Sequence, residues 1–538
     1  MGTIKNIRVM SSLKKLYDTD KLPDCDYNGF SMLKNEKKSF QLAIEADEAY
    51  EFDLAYESTV KNINIYTVEH IRSDFPMWKK GADDYYRFSE SGYYPDLLLP
   101  ASGKIKAKKG ITVLWLEINA VGNSAGKHEI SLTVGEKTVT VNIEIIDAEL
   151  DFRDFIYTCW FHTDCLMSYY SIEAFSDKYW QITENFLKTA AEYGMTCVLT
   201  PIFTPPLDTA VGGERPTVQL VDITLNNGKY SFNFDKLTRW IEMAQGCGIR
   251  YFEFSHFFTQ WGAKKAPKIM ATVNGEYKKL FGWHTKAMSK EYKQFLEVFS
   301  FALKEYITEK NIKDNVIIHI SDEPNASMIF SYKKAAAYLR SLFPGYRITD
   351  ALSDYRFYKK GIVTNPIPSN DHIDKFIGNV ENLWVYYCSA QKNHYVANRF
   401  FCNESLRTRV IGYQMFKFNI KGFLQWGYNF YYKRLSKGLI NPFEVTDAGK
   451  EFPSGDSFIV YPAEDGTALH SLRLKVFFDA LQDMAALNTL EKLTDKNTCL
   501  AIIEENGKHS ITFSEYPHND DWLLETREAV NSAIKNNL

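Results

Sequence analysis

Two adjacent carboxylates are the clearest candidates for chemistry in this sequence. Asp322 and Glu323 follow the apolar run Val316–Ile320, and Pro324 comes next. The β-branched residues predict a buried strand, and the proline predicts its end. Two nearby carboxyl groups raise the pKa of one of them, as a general acid near neutral pH requires. The structural alternative is that Ser321 or Asp322 caps a helix that begins near Pro324.

The pattern from about residue 153 predicts the elements that position this pair. Eight strand-like segments alternate with amphipathic helical segments, which is typical of a (β/α)8 barrel, a TIM-like fold whose strands carry their chemistry at the carboxyl ends. The predicted strands are 156–160, 196–200, 250–255, 316–321, 347–351, 361–365, 383–387 and 422–426. Asp322 and Glu323 then lie at the active end of the fourth strand.

The sequence on either side of the predicted barrel has a different rhythm. Residues 1–150 contain short alternating apolar runs and predict an all-β domain, a β-sandwich. The barrel domain would span 151–487 and close with a helix over 469–484. Residues 488–538 predict two short strands, 498–504 and 509–516, and a polar helix from Asp520. The fold class is therefore multidomain, α/β plus all-β.

Composition excludes several classes of function. Of the 538 residues, 45% are hydrophobic and 24% are charged, the values of an ordinary globular protein with ample material for a core. The net charge of -4 gives no reason to expect nucleic acid or an anionic membrane as a partner. No segment approaches 18 uninterrupted apolar residues, so we expect no membrane insertion. We expect a soluble protein, cytoplasmic as the chain stands, with secretion after removal of a signal peptide as the alternative.

Cysteine and histidine spacing predicts no metal site or cofactor. The eight cysteines include no C-x-x-C pair, and no His/Cys/Asp cluster has metal-ligand spacing. Cys159 and Cys197 lie in strand-like apolar context, which favours buried, reduced thiols. Aromatic residues make up 15% of the chain, and flat amphipathic rings suit surfaces that stack against sugars.

The absence of a second carboxylate at one strand end bears on the mechanism. Ordinary retaining glycosidases use two carboxyl groups about 5 Å apart, contributed in barrels by different strands. Here the seventh strand ends Tyr386-Tyr387-Cys388. This leaves a substrate-assisted mechanism, in which a 2-acetamido carbonyl attacks the anomeric carbon while one carboxylate orients the amide and its neighbour protonates the leaving oxygen. A carboxylate opposite Glu323 from another strand would restore the ordinary mechanism.

Four long motifs carry a family resemblance. They are Y-F-E-F-S-H-F-F-T-Q-W-G at 251–262, S-D-E-P at 321–324, G-Y-Q-M-F-K-F-N-I-K-G-F-L-Q-W-G-Y-N-F-Y-Y at 412–432 and D-S-F-I-V-Y-P…S-L-R-L-K-V-F-F-D-A-L-Q-D at 456–483. Together they resemble glycoside hydrolase family 123 over most of residues 100 to 485. The resemblance implies an exo-acting β-N-acetylgalactosaminidase with an N-terminal β-sandwich and a barrel, acting on glycans or glycolipids such as glycosphingolipids. It also implies that Asp322 orients and polarises the acetamido group and that Glu323 is the general acid/base.

Several aromatic and polar residues follow the predicted strands and could bind the sugar. These substrate-binding candidates are Trp160, His256, Trp261, Tyr386, Tyr387, Trp426 and Asn429. Core packing is the alternative for each. Strand alternation predicts that one of the two tyrosines points inward and the other into the barrel wall. His319 lies within the fourth strand, and we expect a structural role for it.

Two other functions fit the same residues. A β-N-acetylglucosaminidase or broad hexosaminidase would keep the mechanism and change the sugar, because the loop residues that read the O4 configuration are not evident from sequence. A non-catalytic sugar-binding barrel is disfavoured, since an unpaired buried acid would cost several kcal/mol to keep charged. The expected partner is a carbohydrate with terminal N-acetylgalactosamine.

Overall fold

The N-terminal part of the chain forms mainly antiparallel sheets, with β2 and β11 as a parallel pair, because its short apolar runs alternate and are bounded by turns. The computed structural model describes residues 4–24, 26–101 and 104–538; Cys25 lies outside the described residues. The strands of this region are β1 (Ile4–Ser11), β2 (Gly29–Leu33), β3 (Lys37–Ala46), β4 (Tyr50–Phe52), β5 (Ala55–Ser58), β6 (Ile63–Ser73), β7 (Gly92–Pro100), β8 (Ile105–Ala107), β9 (Gly110–Asn119), β10 (Gly126–Val134) and β11 (Lys137–Ile146).

Two of these sheets share one apolar core. The larger runs β1-β3-β9-β6-β7, and the smaller runs β2-β11-β10-β5. Phe40 and Leu114 from the larger sheet belong to the same buried cluster as Met32 and Ile143 from the smaller one. The prediction of an all-β N-terminal region is confirmed.

Strands and helices alternate through the rest of the chain. The strands are β12 (Ile156–Cys159), β13 (Cys197–Thr200), β14 (Asp222–Asn226), β15 (Lys229–Asn233), β16 (Tyr251–Phe254), β17 (Ile269–Val273), β18 (Glu276–Phe281), β19 (Val316–His319), β20 (Arg347–Ala351), β21 (Asn365–Ile367), β22 (Trp384–Tyr386), β23 (Gly422–Gln425), β24 (Val460–Pro462) and β25 (Ala468–Ser471). The helices are α1 (Thr163–Tyr169), α2 (Asp177–Glu192), α3 (Asp235–Gly246), α4 (Lys290–Glu309), α5 (Ile329–Leu342), α6 (Tyr355–Lys359), α7 (Ser405–Arg409), α8 (Ile411–Lys417), α9 (Leu472–Leu493), α10 (Lys496–Ile503) and α11 (Asp520–Asn536).

Eight of these strands form a parallel, nearly closed barrel. Their order is β21-β20-β19-β16-β13-β12-β23-β22, so strands that follow one another in the barrel sequence are neighbours in space. The two edge strands approach each other at a single bridge between Ser369 and Tyr386. The prediction of eight parallel strands with the Asp322 strand as the fourth is confirmed, and all carboxyl ends therefore open at the same rim.

The sixth barrel strand begins later than predicted. The expected segment was 361–365, whereas β21 is Asn365–Ile367. The backbone N–H groups of Ile362 and Val363 donate to Phe357 O and so close the end of α6 instead of pairing in the sheet. Their apolar side chains are buried, which is why the run resembled a strand.

The two strands predicted near the C-terminus are wrong. Residues 496–503 form α10, which Asp495 caps by accepting a hydrogen bond from the Thr498 N–H. Cys499 and Ile503 are its buried residues, one helical turn apart, so helical packing prevails over the β-branched composition. Residues 509–516 form no strand. The helix predicted from Asp520 is present as α11.

The helix α9 joins the barrel to the N-terminal sheet. It is buried on every side between residues 472 and 490. Its charged side chains are paired with both halves of the protein: Arg473 with Asp96 of β7, and Asp483 with Arg409 of α7. The preceding hairpin β24-β25 extends the larger N-terminal sheet by pairing with β7. In the described part of the chain, no helix is long and apolar enough to cross a membrane.

Candidate active site

The loop after β19 holds the two adjacent carboxylates at the open rim of the barrel. The Glu323 N–H donates to Ala351 O at 3.1 Å, and the Trp261 N–H donates to Asp322 O at 3.1 Å. The first contact comes from the end of β20 and the second from the loop after β16. The end of one neighbouring strand and the loop after the other therefore fix the backbone of the pair, while its side chains line the pocket at the barrel mouth.

Two residues of this rim adopt an unusual backbone conformation. Glu323 has a φ of 39° and Trp261 a φ of 61°, in the left-handed region that residues other than glycine rarely adopt. At Gly262, with a φ of 102°, an added Cβ would lie 2.9 Å from Met328 Cβ in the loop after β19. Such strain persists only where the surrounding structure imposes it, and it clusters at functional sites.

A pocket of about 230 Å³ opens directly above the pair. Six of its lining residues are aromatic and several others are polar, the usual composition of a small-molecule site. The lining side chains are Trp160, His162, Leu207, Asp208, Gln260, Trp261, Asp322, Glu323, Ala351, Tyr386, Cys388, Ser389, Leu424, Trp426, Phe430, Arg434 and Phe452. The size and the aromatic walls suit a single sugar ring.

Both carboxyl groups hold protons more tightly than ordinary acids. Burial raises the pKa of Asp322 well above its usual value, and the nearby Glu323 and Asp350 carboxylates raise it further. Partial desolvation at the rim also raises the pKa of Glu323, which remains exposed, although the Tyr386 hydroxyl opposes this rise by donating a 2.7 Å hydrogen bond to Oε1. The two groups titrate together, so the pair retains a shared proton to higher pH than an isolated carboxyl would.

A buried ion cluster lies beneath the pair inside the barrel. The His319 ring bridges the Glu253 carboxylate through Nε2 and the Asp350 carboxylate through Nδ1, the latter at 3.2 Å. Burial opposes protonation, but the two carboxylates outweigh it and raise the pKa of His319 to about 10. Asp350 also accepts the Ile320 N–H at 3.0 Å. His319 is therefore an imidazolium that links three strands, and its charge favours the ionised form of Asp322.

The same cluster contains the one grouping of possible metal ligands found among the described residues. Ligand atoms of His256, His319 and Asp350 lie within 4.8 Å of one another. Carboxylates already occupy both ring nitrogens of His319, so a proton satisfies this donor set without a metal. Burial lowers the pKa of His256 well below its usual value, so its ring is neutral. The absence of a metal or cofactor stays a prediction.

Four of the seven predicted substrate-binding residues line the pocket: Trp160, Trp261, Tyr386 and Trp426. Two of these side chains are fixed by buried carboxylates. The Trp160 indole donates to Glu253 Oε1 at 2.9 Å, and the Trp426 indole donates to Asp456 Oδ2 at 3.0 Å. Trp261 stays partly exposed at the rim.

The other three lie outside the pocket, contrary to the prediction. His256 is buried behind Trp160, with ring centroids 5.4 Å apart. Tyr387 points into the barrel wall and packs edge-on against Phe423 at 4.9 Å, so strand alternation assigns the inward position to its neighbour. Asn429 is fully buried, and both ends of its amide bond the backbone of His162.

The polar residues of the pocket that were not predicted are His162, Asp208, Gln260, Ser389 and Arg434. His162 accepts a hydrogen bond from Arg215 at Nδ1 and donates from Nε2 to Trp426 O, and burial lowers its pKa to about 3. Asp208 lies in the loop after β13 and accepts the Leu435 N–H at 2.7 Å, while burial raises its pKa to about 6. His162 could have been found as a polar residue two positions beyond the first predicted strand. Asp208 lies within a long irregular loop and has no comparable signal.

The interior acids were also missed. Glu253 and Asp350 occur within the apolar segments Y-F-E-F and I-T-D-A of β16 and β20. A charged residue in a buried strand needs a partner. This signal was available, but it does not identify the partner as His319.

A family model and a solved structure that are similar to this chain belong to the same family. The family model described as "Glycoside hydrolase 123, catalytic domain" matches residues 160–490. A family 123 glycoside hydrolase from Clostridium perfringens, solved in a study of glycolipid glycan hydrolysis, has 15% sequence identity and a TM-score of 0.73, covering 99% of this chain and 98% of its own. An FMN-binding beta-glucuronidase from Facaelibacterium prausnitzii L2-6 has 7% identity and a TM-score of 0.31, covering 83% of this chain and 59% of its own, which does not establish a shared fold.

Comparison with curated protein sequences finds no match. The matched region contains seven of the eight barrel strands, both rim carboxylates and the residues that line the pocket, and it amounts to more than half of the chain. The chain therefore belongs to glycoside hydrolase family 123.

Proposed function

We propose that this glycosidase releases terminal, non-reducing β-linked N-acetylgalactosamine with retention, through an oxazoline intermediate. The observation that carries the proposal is the adjacent Asp322 and Glu323 carboxyls in one aromatic pocket, where the seventh strand contributes the Tyr386 hydroxyl. A mechanism with both acids on one strand needs its nucleophile from the substrate.

The proposed hydrolysis has two steps. In the first, the acetamido carbonyl oxygen attacks the anomeric carbon, the glycosidic C–O bond breaks, and Glu323 gives its proton to the leaving oxygen. Asp322 accepts a hydrogen bond from the acetamido N–H and offsets the charge that develops there. In the second, Glu323 takes a proton from water as the water attacks the anomeric carbon, and the oxazoline ring opens to the free sugar.

Binding of the substrate places the shared proton on Glu323. In the free enzyme, burial and neighbouring carboxylates favour protonation of Asp322. An acetamido N–H donates a hydrogen bond and so stabilises the ionised form of Asp322, as the His319 imidazolium also does. The proton then resides on Glu323, where the leaving oxygen requires it. A sugar without the acetamido group lacks both this donor and the nucleophile.

A two-carboxylate retaining mechanism is the second candidate, and Asp208 is the observation that favours it. Asp208 is the third carboxylate among the described residues that line the pocket. Its carboxyl is engaged by the Leu435 N–H and its carbonyl by the Ser436 hydroxyl, so loop contacts already account for its position. As a nucleophile it would have to lie about 5 Å from Glu323 across the sugar.

Three variants separate these mechanisms. Glu323→Gln should lose most turnover with a poor leaving group and retain more with an activated aryl leaving group, because only the former needs a proton. Asp322→Asn should be damaged with both. Asp208→Asn should keep turnover within about tenfold. Loss of all activity in Asp208→Asn with a mild effect in Asp322→Asn would reverse the assignment in favour of the two-carboxylate mechanism.

The finer assignments rest on the same resemblance. We infer a (β/α)8 barrel over 151–487, a β-sandwich over 1–150 and a C-terminal segment over 488–538, with the hairpin at 460–471 extending the N-terminal sheet. The glycolipid glycans named for the relative from Clostridium perfringens support glycolipids as substrates here.

A further inference from the structure

Two cavities meet at the proposed general acid. Besides the pocket of about 230 Å³, a wider groove of about 970 Å³ runs along the outer side of the rim. Glu323 and Tyr386 line both. The loops after β19, β20 and β21 supply the rest of the groove, with parts of residues 324–326, 352–359 and 371–375.

The position of Glu323 assigns a direction to the substrate. A general acid gives its proton to the oxygen that joins the released sugar to the leaving group, so its carboxyl lies between the two. With the sugar in the aromatic pocket, the leaving group extends into the space on the other side of Glu323. We propose that this groove binds the leaving group and that it is built for a saccharide. The inference rests on the proposed function.

The groove has a fixed shape, because its loops are tied to one another. The Ser353 and Ser369 hydroxyls are hydrogen bonded at 2.8 Å, which links the loop after β20 to the loop after β21. Asp371 Oδ1 accepts the Ser369 hydroxyl at 2.6 Å and the Gln391 amide at 3.1 Å. A preformed surface of this kind lowers the entropic cost of binding a flexible glycan.

The chemistry of the groove suits hydroxyl-rich sugars. The half-buried Tyr355 ring is held edge-on against Phe376, with centroids 5.1 Å apart, and offers a flat surface to the groove. Around it lie groups of both signs, including the ion pair between Asp354 and Arg356 and the exposed Lys359. Sugar hydroxyls can both donate to and accept from such groups, whereas a hydrocarbon chain would remove them from water without replacement hydrogen bonds.

The test uses free oligosaccharides that end in β-linked N-acetylgalactosamine and carry one, two or three further sugars, with an aryl β-N-acetylgalactosaminide assayed in parallel. In the wild-type enzyme, kcat/KM should rise with each leaving-group sugar until the groove is filled. Tyr355→Ala should lower kcat/KM for the longest oligosaccharide about three- to tenfold more than for the aryl substrate and so flatten the series. Lys359→Ala should flatten it less, and Lys360→Ala, an exposed neighbour outside the groove, should leave it unchanged.

The outcomes distinguish the groove from the mechanism. Aryl hydrolysis with no dependence on leaving-group sugars, or a dependence that Tyr355→Ala leaves intact, would overturn the groove assignment and leave the proposed function standing. The groove assignment would also be overturned if attaching a lipid to the oligosaccharide raised kcat/KM while adding sugars did not. Failure to hydrolyse the aryl N-acetylgalactosaminide at all would overturn both the proposed function and this inference.

Discussion

The hydrogen bond between Tyr386 and Glu323 offers the sharpest perturbation of the proposed acid. The Tyr386 hydroxyl donates to Glu323 Oε1 at 2.7 Å, which stabilises the ionised carboxylate and lowers its pKa against the effect of partial desolvation. Tyr386→Phe removes this donor and keeps the ring that lines the pocket. The ionised form of Glu323 is then less stable, so the group keeps its proton to higher pH.

The magnitude follows from the bond. A hydrogen bond to a charged group contributes about 1.5–3 kcal/mol, and solvent in the open pocket favours the lower end of this range. Since about 1.36 kcal/mol corresponds to one pH unit, the alkaline limb of the kcat/KM profile should move up by roughly 1 pH unit. Activity is lost as the pH rises through the apparent pKa of the acid, so the variant should retain activity at a pH where the wild type has lost it.

The assay is a pH series of kcat/KM on an oligosaccharide substrate, whose leaving group needs the proton. Tyr387→Phe is the matched control, because the Tyr387 hydroxyl is buried in the barrel wall without a hydrogen-bond partner among the described atoms. Its profile should coincide with that of the wild type. An alkaline limb that stays in place or moves to lower pH in Tyr386→Phe would refute the assignment of Glu323 as the acid that Tyr386 tunes.

Three further variants test the electrostatics of the site. Asp322→Asn should raise the melting temperature, because the folded pKa of Asp322 lies above its unfolded value and the ionised carboxylate therefore destabilises the fold as the pH rises. The difference in melting temperature between variant and wild type should grow from pH 5 to 8, by roughly 2 °C for each kcal/mol of stability. His319→Gln should lower the free energy of unfolding in urea by about 3–5 kcal/mol at pH 7, because two buried carboxylates lose their shared cation. The stability that the charged His319 contributes to the wild type should fade as the pH rises from about 6.5 towards about 10. A difference between wild type and variant that does not change with pH would contradict this. Arg215→Ala should cost a similar ~3–5 kcal/mol and raise KM, because it strands Asp164 and frees His162; unchanged KM would show that His162 does not contact substrate.

The position of the proposed catalytic pair could be predicted because it depends on local order in the chain. An apolar β-branched run followed by Asp322, Glu323 and Pro324 specifies a strand and its end, and the barrel places every such end at one rim. Alternation also predicted that one of Tyr386 and Tyr387 points inward. It could not say which, because that depends on how β22 twists against β23.

The ion cluster could not be predicted, because its members come from different strands. Glu253, His319 and Asp350 are separated by 66 and 31 residues, and only the parallel order of β16, β19 and β20 brings them together. Composition within one segment gives no information on such pairings. The same limit applies to Asn429. Its position after a strand predicted contact with substrate, whereas its amide is hydrogen bonded to the backbone of His162.

The most direct test of the mechanism compares aryl β-glycosides of N-acetylgalactosamine, N-acetylglucosamine and galactose, each with and without a thiazoline that mimics the oxazoline intermediate. We predict cleavage of the acetamido sugars alone, faster for N-acetylgalactosamine, and strong inhibition by the thiazoline. Hydrolysis of the plain galactoside without such inhibition would contradict substrate assistance and direct attention to Asp208 as a nucleophile.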